Sequence, residues 1–172
     1  MRKTLSVVLS VCVLSILMDS CFSGKSTVIE PSVYSVEQIK SLYVYINLTD
    51  YRKYGEKIGE DLQEQLNAEG IPTKVYIVKE LDLTSPEEIG AEVRKFGASH
   101  IMYIELYTAL VKENYRQTDL GFGVRIHNAQ NGKPLWFGGL DLKTALIKTK
   151  DETGEGVKIL IERLKQDGFI KK

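Results

Sequence analysis

Alternating hydrophobic and polar positions predict five strands. Residues 41–48 alternate strictly and place aliphatic side chains on one face, namely Leu42, Val44, Ile46 and Leu48. Further strands are predicted over residues 73–78 and 99–109. Two more, residues 120–127 and 135–144, flank Asn131-Gly132, the strongest hairpin signal in the chain. The pattern thus combines separated strands in the first half with a hairpin in the second.

Helical periodicity fills the intervals between these strands. A first helix is predicted from a cap at Asp50 to about Glu69, on an apolar repeat of every fourth residue. Ser85-Pro86-Glu87-Glu88 predicts a capping box that opens a second helix. A last helix covers residues 153–166. The fold class is therefore α/β: a single-domain mixed β-sheet in the order β-α-β-α-β-β-β-α, with two parallel βαβ crossovers.

The N-terminus has the features of a bacterial lipoprotein signal peptide. Arg2 and Lys3 precede an uncharged apolar stretch that is too short to span a bilayer. Ser20-Cys21 follows and resembles a lipobox, although Asp19 departs from the usual pattern. We therefore divide the chain into a signal peptide (1–20), a lipidated N-terminus and tether (21–36) and a globular α/β domain (37–172). The alternative is a secreted protein cut near Ser20, Ser23 or Gly24.

Composition and cysteine usage narrow the location. The 172 residues include 23 Lys and Arg against 23 Asp and Glu, so the net charge is zero, which argues against nucleic-acid binding and against a polybasic membrane patch. Cys12 would be lost with the leader, and lipidation explains the remaining Cys21. Attachment would then come from acyl chains such as palmitate. By analogy with known lipoprotein sorting, an aspartate directly after the lipidated cysteine would retain the protein in the inner membrane. The residue there is Phe22, which favours the outer membrane, and we choose its periplasmic face. Residues 22–35 are predicted to be an irregular tether.

The hairpin resembles that of a group of bacterial envelope lipoproteins. Gly97-Ala98-Ser99-His100-Ile101 and the stretch from Arg125 to Gly138, with Gly132, Leu135 and Trp136 at matching positions, are similar to motifs of this group. The group includes the curli-secretion channel subunit, the activators of penicillin-binding proteins and the N-terminal domain of the Tol–Pal translocation protein. The resemblance implies this fold, with Asn131, Gly132 and Trp136 as structural hairpin residues, and a role in binding other proteins. It supplies no catalytic residue.

Tyrosines are the most informative candidates for a binding surface. Four of them share the parity opposite to the aliphatic face of two neighbouring strands: Tyr43, Tyr45, Tyr103 and Tyr107. One interpretation covers this face with the last helix. The other leaves part of it open as an interaction surface, because tyrosine is rigid and amphipathic.

No catalytic or metal-binding constellation stands out in the sequence. His100 and His127 lack ligand-spaced partners, and neither a serine-nucleophile elbow nor a phosphate loop is present. We expect no cofactor and no metal. The expected function is that of a non-enzymatic protein-binding or assembly accessory, whose partner is another envelope protein or a second copy. The alternative is a periplasmic enzyme acting on cell-wall glycan or peptide, which a pocket joining Glu105, Asp141 or His127 would favour. A third hypothesis is a homo-oligomeric structural lipoprotein.

Overall fold

A computed structural model of the chain describes residues 27–111, 117–145 and 152–171. Six strands form one mixed sheet: β1 (Thr27–Val33), β2 (Leu42–Asn47), β3 (Thr73–Ile77), β4 (His100–Val111), β5 (Gln117–Asn128) and β6 (Pro134–Ala145). Three helices accompany them: α1 (Arg52–Ala68), α2 (Pro86–Phe96) and α3 (Glu152–Gln166). The spatial order of the strands is β1-β6-β5-β4-β2-β3. The predicted α/β class and element order are confirmed, with one strand added at the N-terminal end.

The direction of each crossover decides which face a helix covers. β2 pairs in parallel with β3 on one side and with β4 on the other. The crossover through α1 therefore leads from β2 to β3 at the edge of the sheet. The crossover through α2 runs in the opposite direction, from β3 past β2 to β4. Because such crossovers are right-handed, α1 and α2 lie on opposite faces of the sheet.

The main core lies on the aliphatic face, under α1 and α3. Fully buried side chains of β2, α1 and α3 meet there with the inward residues of the hairpin, Trp136 among them. Lys165 of α3 also donates a hydrogen bond of 2.8 Å to Glu69, just after α1. The interpretation that the last helix covers the tyrosine face is therefore wrong. The reason is topological: α3 follows an antiparallel hairpin, where no crossover rule fixes its face.

Local signals set most element boundaries as predicted. Ser85 accepts a hydrogen bond from the Glu88 amide and the Glu88 side chain accepts one from the Ser85 amide, so the capping box is present. Gly97 ends α2 in the left-handed conformation with φ 73°. The cap predicted at Asp50 is absent, because a 3₁₀ turn over Thr49–Tyr51 precedes α1.

Strand β1 corrects the predicted tether. Thr27–Val33 pairs antiparallel with β6, and the Tyr34 amide continues the contact with a 2.9 Å hydrogen bond to the Leu135 carbonyl. The register shifts between Ile29 and Ser32, the interval that contains Pro31. Proline is tolerated at such an irregularity of an edge strand. The described fold thus begins at Thr27 rather than at residue 37, because the open edge of β6 offers backbone partners that local sequence does not reveal.

The predicted hairpin residues take structural roles. Two asparagines organise the turn: Asn128 Oδ1 accepts hydrogen bonds from the amides of Gln130 and Asn131 at 2.9 and 3.2 Å, and Asn131 Oδ1 accepts one from the Lys133 amide at 2.9 Å. Gly132 has φ 69°, which favours glycine. Trp136 is fully buried and lies over Gly138, where an added Cβ would be 2.5 Å from the indole. This close approach explains why the hairpin carries tryptophan and glycine two residues apart.

Candidate functional site

Four rings lie side by side across four strands on the second face of the sheet. Tyr76 of β3 stacks on Tyr45 of β2, with ring centroids 5.7 Å apart and planes 10° from parallel. Tyr45 meets Tyr103 of β4 at 5.8 Å, and Tyr103 meets His127 of β5 at 5.4 Å, edge to face. All four are half-buried. We call this set (Tyr76, Tyr45, Tyr103 and His127) the aromatic row.

Strand register creates the aromatic row. Tyr45 is the registered neighbour of both Tyr76 and Tyr103, so the three rings project from the same level of the sheet. The level continues through Arg125, which pairs with Tyr103, and Phe137, which pairs with Arg125. Phe137 is 41% exposed. The aromatic character therefore extends beyond the part of the face covered by α2.

Three members of the aromatic row, Tyr45, Tyr103 and His127, line a cleft of about 460 Å³ against α2. One wall is apolar and comes from the first two turns of α2, where Pro86, Ile89 and Val93 line the cleft. The other wall carries the polar groups Glu105 and Arg125, which form an ion pair. Both side chains of this pair are nearly half exposed, so the pair itself adds little stability and is free to exchange for a ligand's charge.

The titratable rings that line the cleft favour their neutral forms, because burial moves the pKa of each one further toward that form. Burial, followed by the charges of Asp82 and Glu105, raises the pKa of Tyr45. Burial also raises the pKa of Tyr103. The pKa of His127 is lowered by burial and then by the neighbouring Arg125. The cleft thus offers neutral rings with hydroxyl and imidazole groups beside one Glu–Arg pair, a composition suited to hydrogen bonding and stacking.

The four predicted tyrosines have different environments. Tyr45 and Tyr103 line the cleft, as the open-face interpretation requires. Tyr43 is fully buried beneath α2, with its ring 6.4 Å from that of Phe96, so it contributes nothing to a surface. Tyr107 is 75% exposed and lies at the register shift of β4, outside the lining of the cleft. Only two of the four are thus brought together.

Sequence reasoning missed Tyr76 as a member of the site, and it considered His127 only for an enzyme pocket with Glu105 or Asp141, not beside the tyrosines. A signal for Tyr76 was present, because it lies on a predicted strand that is parallel to the strand of Tyr45, and the two tyrosines are registered neighbours. His127 comes beside Tyr103 through the pairing of β4 with β5, and this strand order is not readable from one sequence. Asp141 lies on β6 opposite Thr27 and does not line the cleft.

His100 is a structural histidine. It is buried at the start of β4, with Nδ1 2.8 Å from Ser99 Oγ and Nε2 3.9 Å from Glu37 Oε2. The Ser99 hydroxyl already donates to the Ser41 carbonyl at 2.8 Å and accepts hydrogen bonds from the amides of Lys40 and Ser41. Ser99 therefore joins the residues before β2 to the start of β4, and His100 packs beside it as part of this structural contact.

Other predicted features fall outside what the structure describes. Cys21 and the signal peptide precede residue 27 and lie outside the described residues.

Within the described ranges, no group of three or more His, Cys, Asp or Glu side chains is placed to hold a metal ion. No helix in those same ranges is both long and apolar enough to cross a bilayer.

Comparison with known proteins places the fold but not a family. No protein-family model matches the sequence, and no curated protein is similar to it. Among solved structures, a dodecamer of a PelC point variant from Paraburkholderia phytofirmans is 15% identical with a TM-score of 0.55, over 78% of this chain and 95% of that one. A second PelC dodecamer structure from the same organism gives 12% identity, a TM-score of 0.57 and coverage of 86% and 99%.

A third structure is lipoprotein GNA1162 from Neisseria meningitidis, with 16% identity, a TM-score of 0.47 and coverage of 73% and 98%. At the identities of the PelC structures, the likeness is one of fold alone. The curli, synthase-activator or Tol–Pal group remains a prediction.

Proposed function

We propose that this chain is an envelope lipoprotein, anchored through Cys21 to the periplasmic face of the outer membrane, whose folded body binds another envelope protein or a second copy of itself without catalysing a reaction. The lipobox-like Ser20-Cys21 after an apolar leader supports the anchor. Strand β1 brings the body close to it, because the six residues from Cys21 to Thr27 span at most about 20 Å.

The observation that carries the binding role is the aromatic row on a half-covered face. α2 covers the β2 side of this face, whereas Phe137 on β6 is exposed. Tyrosine rings buttressed by registered neighbours lose little side-chain freedom on binding, and rigid aromatic anchors of this kind dominate the energetics of protein interfaces.

Self-association is the form of binding that the comparisons favour. The two PelC structures are named as dodecamers. Among the described residues, β1 and β3 are the edge strands of the sheet, and each has one side without a neighbouring strand that strand addition could use. Sizing the mature chain as Cys21→Ser separates the possibilities. A defined oligomer supports self-association, whereas a monomer at all accessible concentrations leaves a different envelope protein as the partner.

An enzymatic role has one observation in its favour, since Glu105 and His127 line the same cleft. Glycoside hydrolysis ordinarily needs two carboxylates flanking the scissile bond, and among the described residues Glu105 is the one carboxylate that lines this cleft. It is also engaged by Arg125. Release of sugars or peptides from purified cell wall, lost in Glu105→Gln, would establish the enzyme instead of the binder.

Site-specific crosslinking tests the proposed binding face. We place a photoreactive phenylalanine at Tyr103 in the native envelope and, as the control, at Lys133, an exposed residue of the β5–β6 turn that lies on neither sheet edge. The proposal predicts a defined crosslinked species from position 103, identified by mass spectrometry as an envelope protein or a second copy. The same products from both positions, or none from position 103, would contradict it.

A further inference from the structure

Two leucines are almost entirely exposed in the loop between β3 and α2. Leu81 is 89% exposed and Leu83 is 94% exposed. Among the described residues, the other exposed large hydrophobic side chains reach 75% at most, at Tyr107. Single exposed leucines are common, but two within three residues at one loop tip form an apolar projection.

The loop holds these leucines in a fixed arrangement. Asp82, which separates them, accepts hydrogen bonds from the Tyr76 hydroxyl at 2.6 Å and from the Thr84 amide at 3.0 Å. Its own amide donates to the Lys79 carbonyl at 3.1 Å, which closes a turn. Because Asp82 is tied to the body of the protein, the exposed leucines on either side are presented by an ordered turn.

The loop and the start of the described chain lie at the same end of the sheet. β2, β3 and β4 are parallel, and the loop follows the carboxyl end of β3 at Ile77. Thr27, the first residue of β1, pairs with Asp141, which pairs with Gly121, which pairs with Thr108 of β4. Thr27 therefore lies level with the carboxyl end of β4, the end from which the Leu81 loop projects.

We propose that the turn carrying Leu81 and Leu83 inserts into the lipid surface that anchors the chain, as a second and apolar membrane contact. The inference rests on the proposed anchor at Cys21. Six strands place the two edges of the sheet about 24 Å apart, and the six residues before Thr27 reach about 20 Å, so the anchor holds this end of the body against the membrane.

The chemistry of the loop favours hydrocarbon over lipid phosphates. The loop carries two acidic residues, Glu80 and Asp82, and one basic residue, Lys79. Its net negative charge gives no electrostatic attraction to anionic headgroups. Binding would come from apolar burial, which is effective once an anchor has already brought the loop to the surface. The Asp82 carboxylate is bound to the Tyr76 hydroxyl and the Thr84 amide, so it stays with the body of the protein and only the two leucine side chains enter the hydrocarbon.

An artificial anchor tests the loop independently of lipidation. The chain from position 21 onward contains every residue that the structure describes, and with a histidine tag in place of Cys21 it has no thiol. It is bound to phosphatidylcholine vesicles that contain a nickel-chelating lipid. The single-cysteine variant Leu83→Cys carries an environment-sensitive dye, and Lys133→Cys is the control at the opposite end of the sheet.

The proposal predicts a blue shift of the dye at position 83 on the vesicles and several-fold stronger quenching by brominated acyl chains than at position 133. Adding Leu81→Glu to the Leu83→Cys variant should abolish the shift while the tag keeps the protein bound. An unchanged dye at position 83, or equal quenching at both positions, would overturn the inference. Failure of Cys21 lipidation in cells is a separate result, read from the mass of the native protein.

Discussion

The indole N–H of Trp136 donates a hydrogen bond of 2.8 Å to the carboxylate of Asp167. Arg163 of α3 donates to the same carboxylate at 3.1 Å. Asp167 therefore links the β5–β6 hairpin to α3. Trp136 therefore stabilises the packing of the sheet against α3, and it does not line the cleft.

Replacing Trp136 should destabilise the fold strongly. Trp136→Ala removes a fully buried aromatic side chain and its hydrogen bond, so we expect the free energy of unfolding to fall by about 3–5 kcal/mol. Urea unfolding measures it. Phe137→Ala, at the adjacent exposed residue, is the matched control and should cost far less. Equal losses for both variants would refute the assigned role.

Adding a side chain at Gly138 should lower the stability of the fold. In Gly138→Ala the new Cβ would lie 2.5 Å from the Trp136 indole, so the tryptophan must shift, at a cost of about 1–3 kcal/mol typical of overpacking. Gly123→Ala is the control, because its Cβ would meet nothing closer than 4.0 Å. Thermal melts of the two variants give the comparison; a Gly138→Ala protein as stable as Gly123→Ala would show that the indole does not pack as described.

Tyr43→Phe should be neutral or mildly stabilising. The hydroxyl of Tyr43 is buried and has no hydrogen-bond partner among the described residues, so removing it relieves a desolvation cost of about 1 kcal/mol or more. Tyr76→Phe provides the contrast, since it loses the 2.6 Å hydrogen bond to Asp82. Chemical unfolding of both proteins should rank Tyr43→Phe above Tyr76→Phe, and the reverse order would be inconsistent with these environments.

Stability should decrease as the pH falls through the histidine range. Burial lowers the pKa of His100 despite the opposing charge of Glu37, and burial and Arg125 lower the pKa of His127. The unfolded chain, with histidine pKa values near 6.5, therefore binds more protons than the native one below about pH 7. This stabilisation is complete above the unfolded pKa and is lost as the pH falls toward the lower native values.

The measurement is the free energy of unfolding between about pH 7 and pH 5. His100→Asn keeps a hydrogen-bonding group near Ser99 and should flatten this dependence. A slope unchanged by the substitution would exclude His100 as its source.

Local signals explain what the sequence could and could not predict. The capping box at Ser85 and the glycine at position 97 act within one turn, so α2 was predictable from neighbours alone. Strand β1 was not, because its stability comes from the edge of β6, which lies near the other end of the chain. The side of the sheet that α3 covers depended in the same way on packing against α1.

The candidate site was predictable in part for the same reason. Parity within a strand identified Tyr45 and Tyr103, whereas burial of Tyr43 beneath α2 required knowing the crossover that passes over β2. The contact of Tyr103 with His127 required the order of β4 and β5. Parity predicts which face a side chain shares, and only the assembled sheet decides which of those side chains remain open.

The most direct test of the proposed lipid anchor is the intact mass of the protein isolated from its own membrane. We expect a chain that starts at Cys21 and carries a diacylglyceryl group and further acylation, with the protein released to the soluble fraction by Cys21→Ser. A chain that begins elsewhere, or a Cys21 thiol without lipid, would contradict the proposal.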